Sequence, residues 1–461
     1  MNPSLPLSKS NTMGFEHYDI FVIGTGSAGR KVAVSCAKEG MKVAIADNRE
    51  YGGTCANRGC DPKKVLLNAS EIIARTTDLA AVGITEVPKI DWQALQKFKE
   101  KFVSAMPIKT EESLEEVGIK MYHQSPEFLE DGLLIVEGKK VTYDKVVIAT
   151  GLIPRPLHFK GAELFKISDD FLDLPELPDS MIFIGGGYIA MEFAHIAARC
   201  GVDVTIIERG KSILKHFDEN IAAYLQKISE DIGVKFILNA SVTGAEMLQK
   251  NTRVYYEQNG KEKDVKAMMV FNTSGRVPSI EMLSLEKANI TTTPKGIKVN
   301  KFLQSTSNPN VYACGDVADS GALPLTPLSS KEGSHVAKQL TSGKHEEYTF
   351  AAIPTSVYTT PQLATVGLTE EQAKEQDIEY KVLSEHVPDW FSVKRLNSRD
   401  YCYKTLKGPN DEILGAEILA PEASEMINLF AMAIQQKLTC TQFRQTIFAY
   451  PTFASDMQSM V

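Results

Sequence analysis

Two glycine-rich turns, each set between an apolar run and a helical stretch, constrain this chain more than any other feature. The first follows Tyr18-Asp-Ile-Phe-Val-Ile23 and reads Gly24-Thr-Gly26-Ser-Ala-Gly29. A helical stretch runs on to Lys38, and a second apolar run covers Lys42–Asp47. The same grammar returns at Ser180–Ile184, Gly185-Gly-Gly187-Tyr-Ile-Ala190, a helix to about Cys200 and a run Asp203–Glu208. Strand, tight turn, helix and strand form the opening unit of a Rossmann-like, dinucleotide-binding α/β fold. The first glycine makes the bend, the second lets backbone approach a pyrophosphate, and the third lets helix pack on strand. The helix N-terminus adds unpaired N–H groups and a positive dipole end. An acid about 20 residues on binds ribose hydroxyls; Asp47 and Glu208 hold those places. Ala190 replaces the third glycine of the second copy, which the pattern tolerates. Two copies predict two dinucleotides in one chain, exchanging electrons.

With 461 residues the chain is too long for one ordinary core. Residues 1–16 read as a loose tail. Residues 17–151 with 275–345 read as one dinucleotide domain, residues 152–274 as a second, and residues 346–461 as an α+β domain. The last shows short strand patterns (351–366, 379–385, 400–406, 412–419) and helices near 421–437 and 441–447. Residues 62–118 read mostly as helix, with Pro62 suited to its start. A net charge of −8 argues against nucleic acid or an anionic membrane as partner. No apolar run has bilayer length, and the N-terminal residues lack the pattern of a secretory signal, so a cytoplasmic location is expected.

Seven cysteines are present, and most are isolated, which does not suit a secreted disulfide framework. Cys36, Cys200, Cys402 and Cys440 read as packing residues, and Cys314 as a structural residue without chemistry of its own. Cys55 and Cys60 lie close together without further cysteine or histidine to complete a zinc site, so no metal is expected there.

The segment Gly52-Gly-Thr-Cys55-Ala-Asn-Arg-Gly-Cys60-Asp-Pro-Lys63-Lys64 resembles the cysteine motif of the class I pyridine nucleotide–disulfide oxidoreductases, which include glutathione reductase, dihydrolipoamide dehydrogenase and mercuric reductase. The resemblance continues through Ala149-Thr-Gly151, Gly275-Arg276-Val-Pro278, Cys314-Gly-Asp316, Ile353-Pro-Thr355 and Val366-Gly-Leu-Thr369, covering nearly the whole chain. It implies an FAD domain (17–151, 275–345), an NAD(P) domain (152–274) and a dimerisation domain (346–461) in a homodimer. FAD would be held by Gly24, Gly26, Gly29 and Asp47, with Asp316 at the ribityl chain and Thr326 near the ring. NADP or NAD would be held by Gly185, Gly187, Ala190 and Glu208, with Tyr188 covering the flavin until nicotinamide arrives. Gly53, Thr54, Lys64, Thr150, Gly151, Gly275, Arg276 and Gly315 would complete the cofactor sites. Cys60 would face the flavin, Cys55 would attack a small-molecule disulfide, and Lys63 and Glu192 would form an ion pair beside the flavin ring. Thiolates are the attacking species, and helix N-termini and cations favour them; Arg58 and Lys63 flank Cys60.

The chain also departs from the family pattern. Tyr450 stands where a proton-shuttling histidine from the partner subunit is usual, and Ser455 where its carboxylate is usual, with Asp456 one residue late. An unperturbed tyrosine has a pKa of about 10 and is a poor base at neutral pH. Mercuric reductases also carry tyrosine there, but Ser459-Met460-Val461 lacks their Cys-Cys pair. Val34 and Ser334 occupy positions where glutathione reductases place carboxylate-binding arginines. Glu208 favours NADH, whereas Arg209 and Lys215 match NADPH-binding arginines and tilt the expectation towards NADPH. The expectation is a glutathione-reductase-like enzyme acting on another disulfide. The alternatives are a dihydrolipoamide dehydrogenase-like enzyme, a diaphorase, quinone or mercuric-ion reductase, and a non-catalytic redox sensor.

Overall fold

The computed structural model describes residues 14–80, 82–350 and 352–461. Residues 1–13 of the expected tail lie outside the described residues, and its last residue, Glu16, opens the first strand. The chain divides into two compact units. One contains the chain up to Asn57 with Ala105–Ile153 and Val277–Thr349; the other contains Arg58–Ser104, Pro154–Arg276 and Phe350–Val461.

The first unit is built on a mixed sheet. Strand Glu16–Ile23 pairs in parallel with Val43–Ala46 and with Lys139–Ile148. Lys120–Tyr122 and Val311–Ala313 extend the parallel part, and Leu133–Val136 and Glu127–Glu130 continue it antiparallel. Alternate side chains of the central strand enter different cores. Phe21 and Ile23 pack with Val146 and Ile148. Ile20 and Val22 pack with Val32, Ala33 and Cys36 of helix Ser27–Lys38. Helix Thr326–Ser342 lies close against that helix: a Cβ on Gly333 would stand 2.5 Å from the Ala28 carbonyl oxygen.

The second unit holds a parallel sheet in the order Val234–Ile237, Asp203–Ile207, Ser180–Ile184, Met269–Asn272. Helix Tyr188–Arg199 is buried from Ala190 to Ala197. A core of aromatic rings fixes it, with Phe193 stacked on Phe171 at 4.1 Å. The carboxy-terminal part is a five-stranded antiparallel sheet, Thr355–Val357, Gln362–Gly367, Ile413–Ala420, Cys402–Lys407 and Lys381–His386, with helix Ala423–Gln435 in its core cluster.

The region expected to be mostly helix over 62–118 is three helices, Cys60–Leu79, Trp92–Val103 and Met106–Glu115. Gly83, at φ +147°, and Pro88 lie in the break, and the Asp91 side chain caps the next helix by accepting from the Ala94 N–H. The first of these helices begins at Cys60, two residues before Pro62. Proline is tolerated there because the first N–H groups of a helix have no partner within it. Gly59 separates it from a short helix, Gly53–Arg58, that carries Cys55. Among the described residues no helix is long and apolar enough to cross a membrane.

Candidate active site

In the first unit the glycine turn has one open position. Gly24 has φ +109°, and a Cβ there would stand 2.3 Å from the Ala149 oxygen; one on Gly29 would stand 2.0 Å from the Gly24 oxygen. Packing therefore demands both. At Gly26 a Cβ would meet nothing nearer than the Gly53 Cα at 4.0 Å, so that edge is open to a ligand. Asp47 ties the turn down: Oδ2 accepts from the Thr25 N–H at 2.8 Å and its hydroxyl at 2.7 Å. The Thr150 hydroxyl, in the Ala149-Thr-Gly151 turn against Gly24, is buried with no hydrogen-bond partner among the described residues. An open glycine turn and an orphaned hydroxyl beside it fit a dinucleotide.

The Gly315-Asp316 turn is held by a buried acid that sequence reasoning did not single out. Glu332 accepts from the Gly315 N–H at 2.6 Å and from the Ser320 hydroxyl at 3.0 Å. Burial pushes its carboxyl up to about 7. Asp316 accepts from the Ser329 hydroxyl at 3.0 Å. Ser329, Glu332, Gly333 and Val336 share the buried face of helix Thr326–Ser342, so helical spacing was the available signal. Thr326 opens this helix. Thr54 is exposed and Cys55 half-buried.

In the second unit Gly185, at φ +101°, would set a Cβ 2.7 Å from the Ser274 Cα, whereas a Cβ on Gly187 would meet nothing within 4 Å. Ala190 is fully buried. Glu208 accepts from the Gly186 N–H at 2.6 Å and the Gly210 N–H at 2.7 Å, so both its oxygens brace the loop. Arg209 and Lys215 are exposed on that loop. Gly275 has φ +121°, with the Arg155 side chain beside it and Arg276 following.

Cys60 is exposed at the first position of its helix. One turn on, Lys63 Nζ stands 2.9 Å from Glu192 Oε2, and the Glu192 side chain is 2 % exposed. Glu192 Oε1 accepts from the Tyr358 N–H at 2.9 Å. Lys64 pairs with Glu71 at 3.3 Å. Tyr188, the first residue of the nucleotide helix, is half-exposed.

Tyr450 is 79 % exposed. Ser455 is spent on a helix cap, exchanging hydrogen bonds with Thr452. Asp456 accepts from the buried Tyr401 hydroxyl at 3.3 Å, and burial raises its pKa. Burial also raises the thiols of Cys36 and Cys402 to about 12 and of Cys200 to about 11, which suits inert packing residues.

Residues 18–336 match the family described as pyridine nucleotide-disulphide oxidoreductase, and residues 353–461 match that family's dimerisation domain. The chain belongs to the pyridine nucleotide–disulphide oxidoreductases. It is thus an FAD- and NAD(P)-dependent oxidoreductase acting on sulfur groups. It is 31% identical to a glutathione reductase of Burkholderia cepacia over 446 residues, 96% of this chain and 98% of that protein. It is 33% identical to a dihydrolipoyl dehydrogenase of Geobacillus stearothermophilus over 444 residues, 94% and 93% of the two chains. The HOCl-induced flavoprotein disulfide reductase RclA of Escherichia coli, solved as a Cu(II) complex, superposes with a TM-score of 0.86 at 29% identity, covering 97% of this chain and 99% of that one.

Proposed function

We propose that this oxidoreductase uses NAD(P)H to reduce a small-molecule disulfide other than ordinary glutathione, through Cys55 and Cys60. The observation that carries the reading is Cys60 at the start of its helix, with the buried Lys63–Glu192 pair one turn on. FAD, when bound, relays two electrons from the nicotinamide to the Cys55–Cys60 disulfide. The Cys55 thiolate then attacks one substrate sulfur, forming a mixed disulfide and displacing the other half as a thiolate. Cys60 attacks the Cys55 sulfur, releases the second thiolate and closes the Cys55–Cys60 bond. The balance is one disulfide, one NAD(P)H and one proton giving two thiols and NAD(P)+.

Gly24, Gly26, Gly29, Asp47, Gly53, Thr54, Thr150, Gly151, Gly315, Asp316 and Thr326 are assigned to FAD. Gly185, Gly187, Tyr188, Ala190, Glu208, Arg209, Lys215, Gly275 and Arg276 are assigned to the nucleotide. Residues 17–151 with 275–345, 152–274 and 346–461 serve as FAD, nucleotide and dimerisation domains of a cytoplasmic homodimer. Preference for NADPH is supported by the exposed Arg209 and Lys215, two cations set against the one carboxylate of Glu208. The missing arginines at Val34 and Ser334 are the reason for excluding ordinary glutathione.

A second reading, reduction of a metal ion or quinone, is favoured by Tyr450, since such an acceptor needs no proton shuttle at Cys55. The Cu(II) bound to the E. coli reductase points the same way. Steady-state turnover with a panel of disulfides, quinones, Cu(II) and Hg(II), using each nucleotide, separates the two. Highest kcat/KM for a disulfide with NADPH supports the first; turnover of metal ions or quinones far above every disulfide overturns it.

A further inference from the structure

Tyr358 follows strand Thr355–Val357 of the five-stranded sheet, far in sequence from the cysteine motif. Its neighbour Val357 is buried in one core cluster with Leu66 and Leu67 of the Cys60 helix. That packing brings the Tyr358 ring to the motif's two lysines. Lys63 Nζ lies 4.4 Å from the ring centroid, and Lys64 Nζ lies 4.3 Å from it. Both are within the roughly 6 Å over which a ring quadrupole attracts a cation. The two ammonium groups repel each other, yet each has its own carboxylate, Glu192 for Lys63 and Glu71 for Lys64. The ring is the element they share. The Tyr358 backbone N–H meanwhile donates to Glu192. Its phenol is raised chiefly by burial, with Lys63 opposing and Glu192 reinforcing, so the ring stays neutral. Lys63 follows Cys60 by three residues on the same helix, which sets the two side chains on one face.

We propose that Tyr358 is a positioning residue of the redox centre: its ring holds the ammonium groups of Lys63 and Lys64 and so fixes positive charge where it stabilises the Cys60 thiolate. The inference rests on Cys60 being the flavin-facing thiol. Lys63 is largely buried, so its field is screened less than that of a surface lysine. Without the ring, Lys64, whose pair with Glu71 is partly exposed, turns towards water, and Lys63 is held by Glu192 alone. A leucine at this position removes the ring but keeps the backbone N–H to Glu192. A phenylalanine keeps the ring and removes only the hydroxyl.

The test is the pH dependence of Cys60 alkylation by iodoacetamide in full-length, FAD-loaded enzyme carrying Cys55→Ser, with Tyr358→Leu or Tyr358→Phe added. FAD content and circular dichroism serve as fold controls. Tyr358→Leu is expected to raise the midpoint by about one pH unit, a tenfold loss of thiolate at a given pH below it. Tyr358→Phe is expected to match the parent. An unchanged midpoint in Tyr358→Leu overturns the proposal, as does a shift in Tyr358→Phe equal to that in Tyr358→Leu. The long-wavelength thiolate-to-flavin absorbance of the same samples tests the assignment beneath it. A midpoint shift without any such band retains the lysine clamp but removes its role in flavin reduction, and so overturns the proposal as stated.

Discussion

Lys63 and Glu192 form an ion pair at 2.9 Å in which the lysine side chain is 13 % and the glutamate 2 % exposed. Two charges in such a place are held by each other and by the Tyr358 N–H on Glu192. Removing one partner strands the other in a poorly hydrated site, which typically costs about 3–5 kcal/mol, whereas replacing both by apolar groups is far less harmful. Lys63→Met alone is therefore expected to destabilise the protein by about 3 kcal/mol. Lys63→Met with Glu192→Leu is expected to recover most of that loss. Denaturant unfolding of the single and double variants checks the pattern; equal loss in both contradicts it.

The two nucleotide-turn glycines make opposite demands. Gly185→Ala places a Cβ 2.7 Å from backbone at a positive φ, so it is expected to misfold or lose several kcal/mol. Gly187→Ala meets nothing within 4 Å and is expected to fold with unchanged stability. The new methyl group fills the edge where a pyrophosphate approaches, so the KM for NAD(P)H is expected to rise about tenfold or more. Thermal melts together with nucleotide kinetics read both effects.

Much of this was legible in the chain because the fingerprint glycines recur at fixed spacing between an apolar run and a helical stretch. Gly24 needs its missing side chain for a positive φ and for the approach of Ala149, and Gly29 for the approach of Gly24, while Gly26 leaves an edge open to a ligand. Tyr358 was not legible. Its link to Lys63, Lys64 and Glu192 is made only when a distant strand packs on the cysteine helix, and no spacing encodes that. The short helix Gly53–Arg58 ahead of Gly59 was not read either, because six residues are too few to show a helical period. Asp456 could be counted as one residue late, but not seen to face Tyr401.

Glu332 gives stability a defined pH dependence. Its carboxyl is raised by burial from 4.5 to about 7. A raised carboxyl binds protons more tightly when folded, so its contribution is fully present below the unfolded value and is lost as pH rises through the folded one. The window is therefore pH 4.5 to about 7, and the loss is about 3 kcal/mol at most. Glu332→Gln keeps an acceptor for the Gly315 N–H without the charge. Its Tm relative to the wild type is expected to improve from pH 5 to pH 8. A difference that stays constant across that range contradicts the assignment.

The most direct test of the central claim is anaerobic titration of FAD-loaded enzyme with NADPH or NADH while following absorbance beyond the flavin bands. If Cys60 faces the flavin and Cys55 faces the substrate, the wild type develops a long-wavelength thiolate-to-flavin band after uptake of two electrons. Cys60→Ser then abolishes the band, and Cys55→Ser shows it before any reductant is added. A wild type without the band, or a Cys60→Ser variant that retains it, contradicts the account.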